Sequence, residues 1–187
     1  MQVTKTLYIK DRKEWRDWLK KKHKTEKAIW LVYYNKASGR PRIPYNDAVE
    51  EALCFGWIDS TVKKIDRDSH VQRFTPRKKR SQLSELNKER IRRLVKKKKM
   101  TSIGLKAVEH LIDDPQKKEE LKIATDIIEA LKKDKNTWKN FIKFSESYKR
   151  IRIGWIEGAR KRPDIFKQRL NYFLKMTAKN KKYGMVR

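Results

Sequence analysis

Residues 52–87 read ALCFGWIDSTVKKIDRDSHVQRFTPRKKRSQLSELN. The segment opens in the apolar end of a helix whose inward stripe is Ala48, Val49, Ala52 and Leu53. Gly56 stands where a helix ends in a left-handed residue. Two extended runs follow, Trp57–Ile65 and His70–Thr75, joined by Asp66-Arg67-Asp68-Ser69. Asp and Ser side chains bond their own backbone in turns, so this pattern predicts a β-hairpin. Pro76 closes the sheet, and Ser81 or Ser84 is placed to cap the next helix.

Upstream, Leu7-Tyr8-Ile9 reads as a short extended entry and Asp11 as a helix cap, with Glu14 three residues on in a capping box. Trp15, Trp18 and Leu19 form the inward stripe of that helix. Ala28–Asn35 (AIWLVYYN) predicts a central strand, apolar on both faces. With the hairpin it makes an antiparallel sheet of at least three strands. Asn46 is the expected cap of the helix after Pro44.

Downstream, Leu86, Ile91, Leu94 and Val95 mark one helix, and Leu105, Val108, Leu111 and Ile112 a second. Asp113-Asp114-Pro115 breaks the pattern, and Gln116–Glu120 reads as a linker. Four amphipathic stripes then follow, the first capped by Thr125, the second carrying Trp138, Phe141 and Ile142 inward, the last beginning at Pro163. Lys179–Arg187 is expected to be a frayed basic tail. The fold class is α+β: a small antiparallel sheet with flanking helices over residues 1–115, followed by a C-terminal helical bundle over 116–187.

Charge dominates the composition. The 187 residues carry 51 Lys and Arg against 23 Asp and Glu, a formal net charge of +28. Such an excess attracts nucleic acid, anionic lipid or another polyanion or acidic partner through salt-dependent forces, or it decorates the surface without a specific task. Six Trp, seven Tyr and six Phe exclude a disordered chain. A single cysteine forms no internal disulfide, and no Cys/His spacing fits zinc. The N-terminus lacks a secretory h-region, and no run approaches ~18 apolar residues, so a cytoplasmic protein without a transmembrane segment is expected. P-loop, G-x-G-x-x-G, H-E-x-x-H and G-x-S-x-G motifs are all missing, so no cofactor is expected and ATP-dependent and common hydrolase chemistries lose support.

Chemistry concentrates in the opening segment. Arg73 and Arg77 supply planar cationic forks suited to phosphate or carboxylate, and Ser81, Ser84 and Asn87 follow at the start of a helix, where hydroxyls and free N–H groups complete an anion cradle. The structural alternative is that either arginine pairs with Asp59 or Asp66 while the serines cap. Asp59 follows an apolar run and is the candidate base of a pocket near Phe55 and Trp57. Cys54, between Leu53 and Phe55, is expected to be an inert buried thiol; as a nucleophile it would need His70, the nearest histidine in sequence. Residues Ser84–Lys98 and Ser102–Ile112 also outline a helix-turn-helix.

ALCFGWID at Ala52–Asp59, RFTPRKKRSQLSELNKERIRRL at Arg73–Leu94, the Met100–Gly104 stretch and GWIEGARKRP at Gly154–Pro163 resemble the YdeI/OmpD-associated, bacteriocin-protection family. The chain departs from the family pattern at Ser60, where glycine is usual, and at Leu83, where tryptophan is common. The resemblance implies a link to resistance against bacteriocins and antimicrobial peptides, and no defined reaction. The expectation is therefore a non-enzymatic protein that binds an anionic ligand, nucleic acid or a phosphorylated metabolite, through Arg73, Arg77 and the residues after them. The alternatives are an enzyme built on Asp59, Cys54 and His70, or a protein-interaction module displaying Tyr148, Tyr172 or Tyr183.

Overall fold

The computed structural model describes residues 2–78, 81–111 and 120–185. It divides into two compact units, Met1–Gln82 with Arg90–Gln116 and Leu83–Glu89 with Lys117–Arg187.

The first unit is built on β2 (Ile29–Tyr34). On one side lies β1 (Thr6–Tyr8), on the other β4 (Ser69–Pro76) and then β3 (Trp57–Lys64), giving the order β1-β2-β4-β3. The hairpin and the central strand form as expected. The sheet is not wholly antiparallel, however, because β1 pairs parallel with β2, Leu7 opposite Leu31. Asp66 makes the hairpin turn by accepting from the Asp68 and Ser69 amides, each at 2.7 Å.

Register assigns the faces. Ile29 pairs with Phe74, Leu31 with Gln72 and Tyr33 with His70, while Asp59 also pairs with Phe74. Side chains alternate along a strand, so Tyr33, His70, Gln72, Phe74, Trp57 and Asp59 share one face. Helix α1 (Arg12–Lys22) packs on that face, with the Trp15 ring 5.5 Å from Phe74. Trp15 Nε1 donates to the carbonyl of Ala48 in α2 (Tyr45–Cys54) at 3.0 Å, which ties the two helices together. Asp11 caps α1 through the Glu14 amide at 2.9 Å, and Glu14 reaches back to the Lys10 amide at 2.8 Å.

An ion-pair network unseen in the sequence joins these helices. Arg12 Nε donates to Glu51 at 2.5 Å, and Arg16 Nη1 to the other Glu51 oxygen at 2.5 Å. Arg12 Nη1 also reaches Glu50 at 3.1 Å, and Arg93 pairs with the same Glu50 carboxylate. Glu51 is 1% exposed and Glu50 4%, so these charges are held by their partners and not by water.

Helix α3 (Glu85–Lys96) begins at Ser84, whose Oγ accepts from the Asn87 amide at 3.3 Å. It closes with Lys98 in the left-handed region at φ 53°, a position where glycine carries no side-chain penalty. Helix α4 (Ser102–Lys106) is capped by Thr101 and spans five residues. That is too short to act as a recognition helix in a DNA groove, so the helix-turn-helix reading does not hold. The expected helical contact at Ile112, the Asp113-Asp114-Pro115 break and the 116–119 part of the linker lie outside the described residues.

The second unit contains α5 (Thr125–Lys132), α6 (Lys135–Lys143), α7 (Glu146–Glu157) and α8 (Pro163–Ala178). Ile127, Leu131, Phe141, Phe144, Tyr148, Ile153, Ile156 and Phe173 form its core. Ala124, not Thr125, occupies the cap position of α5, and Ile142 turns outward at 55% exposure. The tail is not frayed over its described part. Tyr183 sits edge-on to Tyr172 and Trp155, its amide donates to the Tyr148 hydroxyl at 3.3 Å, and the Arg152 guanidinium lies 4.7 Å from its ring.

Candidate functional site

The inward face of the sheet carries polar residues where alternation demands apolar ones. Asp59 stands two residues after buried Trp57, on the same side of β3. Its Oδ2 accepts a 2.5 Å hydrogen bond from the hydroxyl of Tyr45, the first residue of α2. Burial, reinforced by this bond, pushes the Tyr45 hydroxyl far above its ordinary pKa. Tyr33, on the same face, is 3% exposed, and its hydroxyl is buried without a partner. Burial, then the nearby Asp59 charge, keeps that hydroxyl protonated, and Arg42 acts in the opposite sense.

Two arginines face this group. Arg77 is fixed by its backbone amide on Gly56 O at 2.8 Å. Its Nη1 donates to Ser81 Oγ at 2.9 Å, Gln82 O at 3.2 Å and Ser81 O at 3.3 Å. The other edge, Nε and Nη2, is buried and has no partner. Burial lowers the Arg77 pKa, and the Asp59 charge partly compensates. Arg90, on α3 and 5% exposed, donates to Asn46 Oδ1 at 2.5 Å. Burial lowers its pKa too, while Tyr45, Glu50 and Asp59 support the charge. The Asp59 charge thus acts on both Arg77 and Arg90, Glu50 offsets part of the positive charge at Arg90, and Arg42 acts on Tyr33 and His70.

The expected residues divide. Asp59 and Arg77 come together, although among the described residues no ion pair joins either arginine of the motif to Asp59 or Asp66. Arg73 leaves the site: it pairs in register with Trp30, one residue from Phe74, and alternation puts it on the opposite face. Ser81 serves Arg77 and donates to Lys78 O at 2.7 Å, while Ser84 caps α3. Asn87 is buried, belongs to the second unit and has partners of its own. Asn46 is not a helix cap, because Pro44 takes that position and Asn46 accepts from Arg90 instead.

The enzymatic grouping does not assemble. His70 stacks on Tyr33 at 5.3 Å with an interplanar angle of 11°, near the hairpin turn. Burial and then Arg42 lower its pKa. Cys54 lies three residues before Trp57, which pairs with Pro76. Six residues of β4 separate Pro76 from His70, on the order of 20 Å at ~3.3 Å per residue. Burial, then Glu51, pushes the Cys54 thiol up to about 11, against the lowering influence of Arg16. Cys54 is therefore expected to resist a disulfide reagent at neutral pH in the native protein and to react promptly once urea unfolds it. Rapid native labelling would show an open thiolate instead. Among the described residues no group of three or more His, Cys, Asp or Glu is placed to hold a metal ion.

Tyr33, Tyr45 and Arg90 are not singled out by the sequence, and Asn46 only as a helix cap. The available signal was the parity of β3, since an acid at an inward strand position needs buried partners.

Comparison with known proteins gives two matches. Residues 7–107 match a family model described as a domain of unknown function, DUF8412. Residues 120–180 match the model described as Bacteriocin-protection, YdeI or OmpD-Associated. The GWIEGARKRP motif lies in the second match, whereas ALCFGWID, the whole RFTPRKKR motif and the Met100–Gly104 stretch lie in the first. No curated protein and no solved structure gives a match.

Proposed function

The chain belongs to the DUF8412 family, whose model spans more than half of it, and carries a YdeI/OmpD-associated segment behind that domain; from this premise we propose that the first unit binds a small ligand bearing a carboxylate or phosphate. The ligand's oxygens meet the Nε/Nη2 edge of Arg77, beside the Tyr33 hydroxyl and the Asp59–Tyr45 pair. One observation carries the reading: a guanidinium held by three bonds at Nη1 keeps its other two nitrogens buried and unpartnered. A buried donor without an acceptor costs about 1–3 kcal/mol, and more when charged. An oxyanion matching the fork removes that penalty with two parallel bonds. Arg73 takes no part.

Calorimetry with phosphate, pyrophosphate, citrate and simple monocarboxylates tests this. Arg77→Lys keeps the charge but loses the fork, and it should weaken the best ligand by roughly 10- to 100-fold, as for a hydrogen bond to a charged group. Tyr33→Phe removes an unpartnered buried hydroxyl, so it should raise the melting temperature of the free protein while lowering ligand affinity. Equal affinity in Arg77→Lys and wild type would remove Arg77 from the site.

A further inference from the structure

Two basic stretches remote in sequence, at residues 20–24 and 96–106, converge at one corner of the first unit. The corner is Cys54-Phe55-Gly56, at the end of α2. Thr101 at the start of α4 donates both its amide, at 3.1 Å, and its hydroxyl, at 2.6 Å, to Cys54 O. The His23 ring, at the end of α1, lies 5.3 Å from Phe55, and Trp57 Nε1 donates to His23 O at 3.2 Å. Arg16 of α1 lies over Phe55, and its Nη2 donates to Lys99 O at 3.0 Å. Exposed Lys20–Lys22 and Lys24, exposed Lys96–Lys99 and exposed Lys106 therefore gather at one pole.

Acidic relief there is slight: Asp17 sits 3.5 Å from Lys20, Glu109 is exposed, and Glu51 is buried against Arg12 and Arg16. Lys98 holds its charge in a left-handed position that glycine occupies without strain.

Between the lysines lies α4. Gly104 faces the Cys54 carbonyl, where an added Cβ would stand 2.2 Å from the oxygen. At about 100° per residue, Ile103 and Leu105 then fall on the two shoulders of the helix, with Ser102 and Lys106 on its crest. Both shoulders are exposed, Ile103 at 37% and Leu105 at 38%.

We infer that this pole docks on an anionic lipid surface. Lysines attract acidic headgroups as flexible point charges, and the aliphatic shoulders enter the headgroup boundary. A phosphate backbone has no use for the shoulders. Nucleic-acid sites draw on arginine forks and stacking rings, and here Arg16 is turned inward onto Glu51 while Phe55 is buried. No helix among the described residues is long and apolar enough to cross a membrane, so the attachment is peripheral.

The test is co-sedimentation of the full chain with phosphatidylcholine vesicles, with and without phosphatidylserine, at physiological salt. Lys20, Lys21, Lys97 and Lys98 are changed together to Gln; a control changes Lys132, Lys133, Lys139 and Lys143 of the second unit, an equal loss of charge. The pole variant should lose binding to phosphatidylserine vesicles by on the order of 100-fold or more, the control far less. Ile103→Ser with Leu105→Ser should weaken lipid binding while leaving binding to a DNA duplex unchanged. Lys98→Gly, which relieves its cap, should raise the melting temperature and still bind vesicles less well. Equal losses in pole variant and control overturn the inference, as does duplex binding that depends on the pole while the serine pair leaves vesicle binding untouched.

Discussion

Glu51→Ala should cost the first unit about 3–5 kcal/mol, the range found when one member of a buried ion pair is removed. A domain is typically stable by only ~5–15 kcal/mol, so the variant should unfold at a much lower urea concentration or fail to fold at 37 °C. The size follows from what is left behind. Glu51 receives Arg12 on one oxygen and Arg16 on the other, both at 2.5 Å, at 1% exposure. Alanine leaves two half-buried guanidiniums without that carboxylate, and Arg12 Nη2 already lacks a partner. Replacing Arg12, Arg16, Glu50 and Glu51 together by methionine should cost less, because a buried ion-pair group exchanged whole for apolar side chains is often neutral. Urea unfolding of both variants separates the value of the network from the penalty of breaking it. A loss below about 1 kcal/mol in Glu51→Ala would mean the pairs behave as solvated surface bridges.

Gly104→Ala has two opposed consequences, and their sizes decide the sign. In an exposed helix interior the change is worth about 1 kcal/mol of stability from propensity. Here the new Cβ would lie 2.2 Å from Cys54 O and 2.6 Å from its carbonyl carbon, and backbone cannot swing aside as a side-chain tip can. Overpacking of this kind costs ~1–3 kcal/mol and occasionally more, so a net loss of about 2 kcal/mol is expected. The displacement would also open the Thr101 bonds to Cys54 O. Cys54 should consequently label faster with a thiol reagent in this variant than in wild type, even below the unfolding transition. A stabilised variant with an unreactive thiol would show that α4 is not seated on α2 as described.

The parts of the fold that could be read in advance are those written locally. The apolar run of β2, the Asp66 turn and the Asp11–Glu14 box each lie within a few residues, and each appears where it was expected. The parallel strand β1 was not readable as such, since three residues carry no pairing signal until β2 is beside them. The tail misled for the same reason: its lysines are local, whereas the partners of Tyr183 are on α7 and α8. Within the site, Asp59 and Arg77 were visible as residue types. Arg73 falls on the opposite face of the sheet, since a charge cluster in sequence ignores strand parity. Tyr33, Tyr45 and Arg90 reach Asp59 only through the register of the sheet and the placement of two helices.

The two units are not consecutive along the chain. Leu83–Glu89 belongs with Lys117–Arg187, although Arg90–Gln116 returns to the first unit. Within the second unit, Glu89 accepts from Arg150 Nε at 3.0 Å, and Gly154 is so close to Glu85 that an added Cβ would come within 2.3 Å of its side chain. Gene recombination at the obvious junction near residue 116 would therefore export a four-helix segment stripped of its first turn of α3. A fragment that starts at Lys117 should therefore be less stable than one that starts at Leu83.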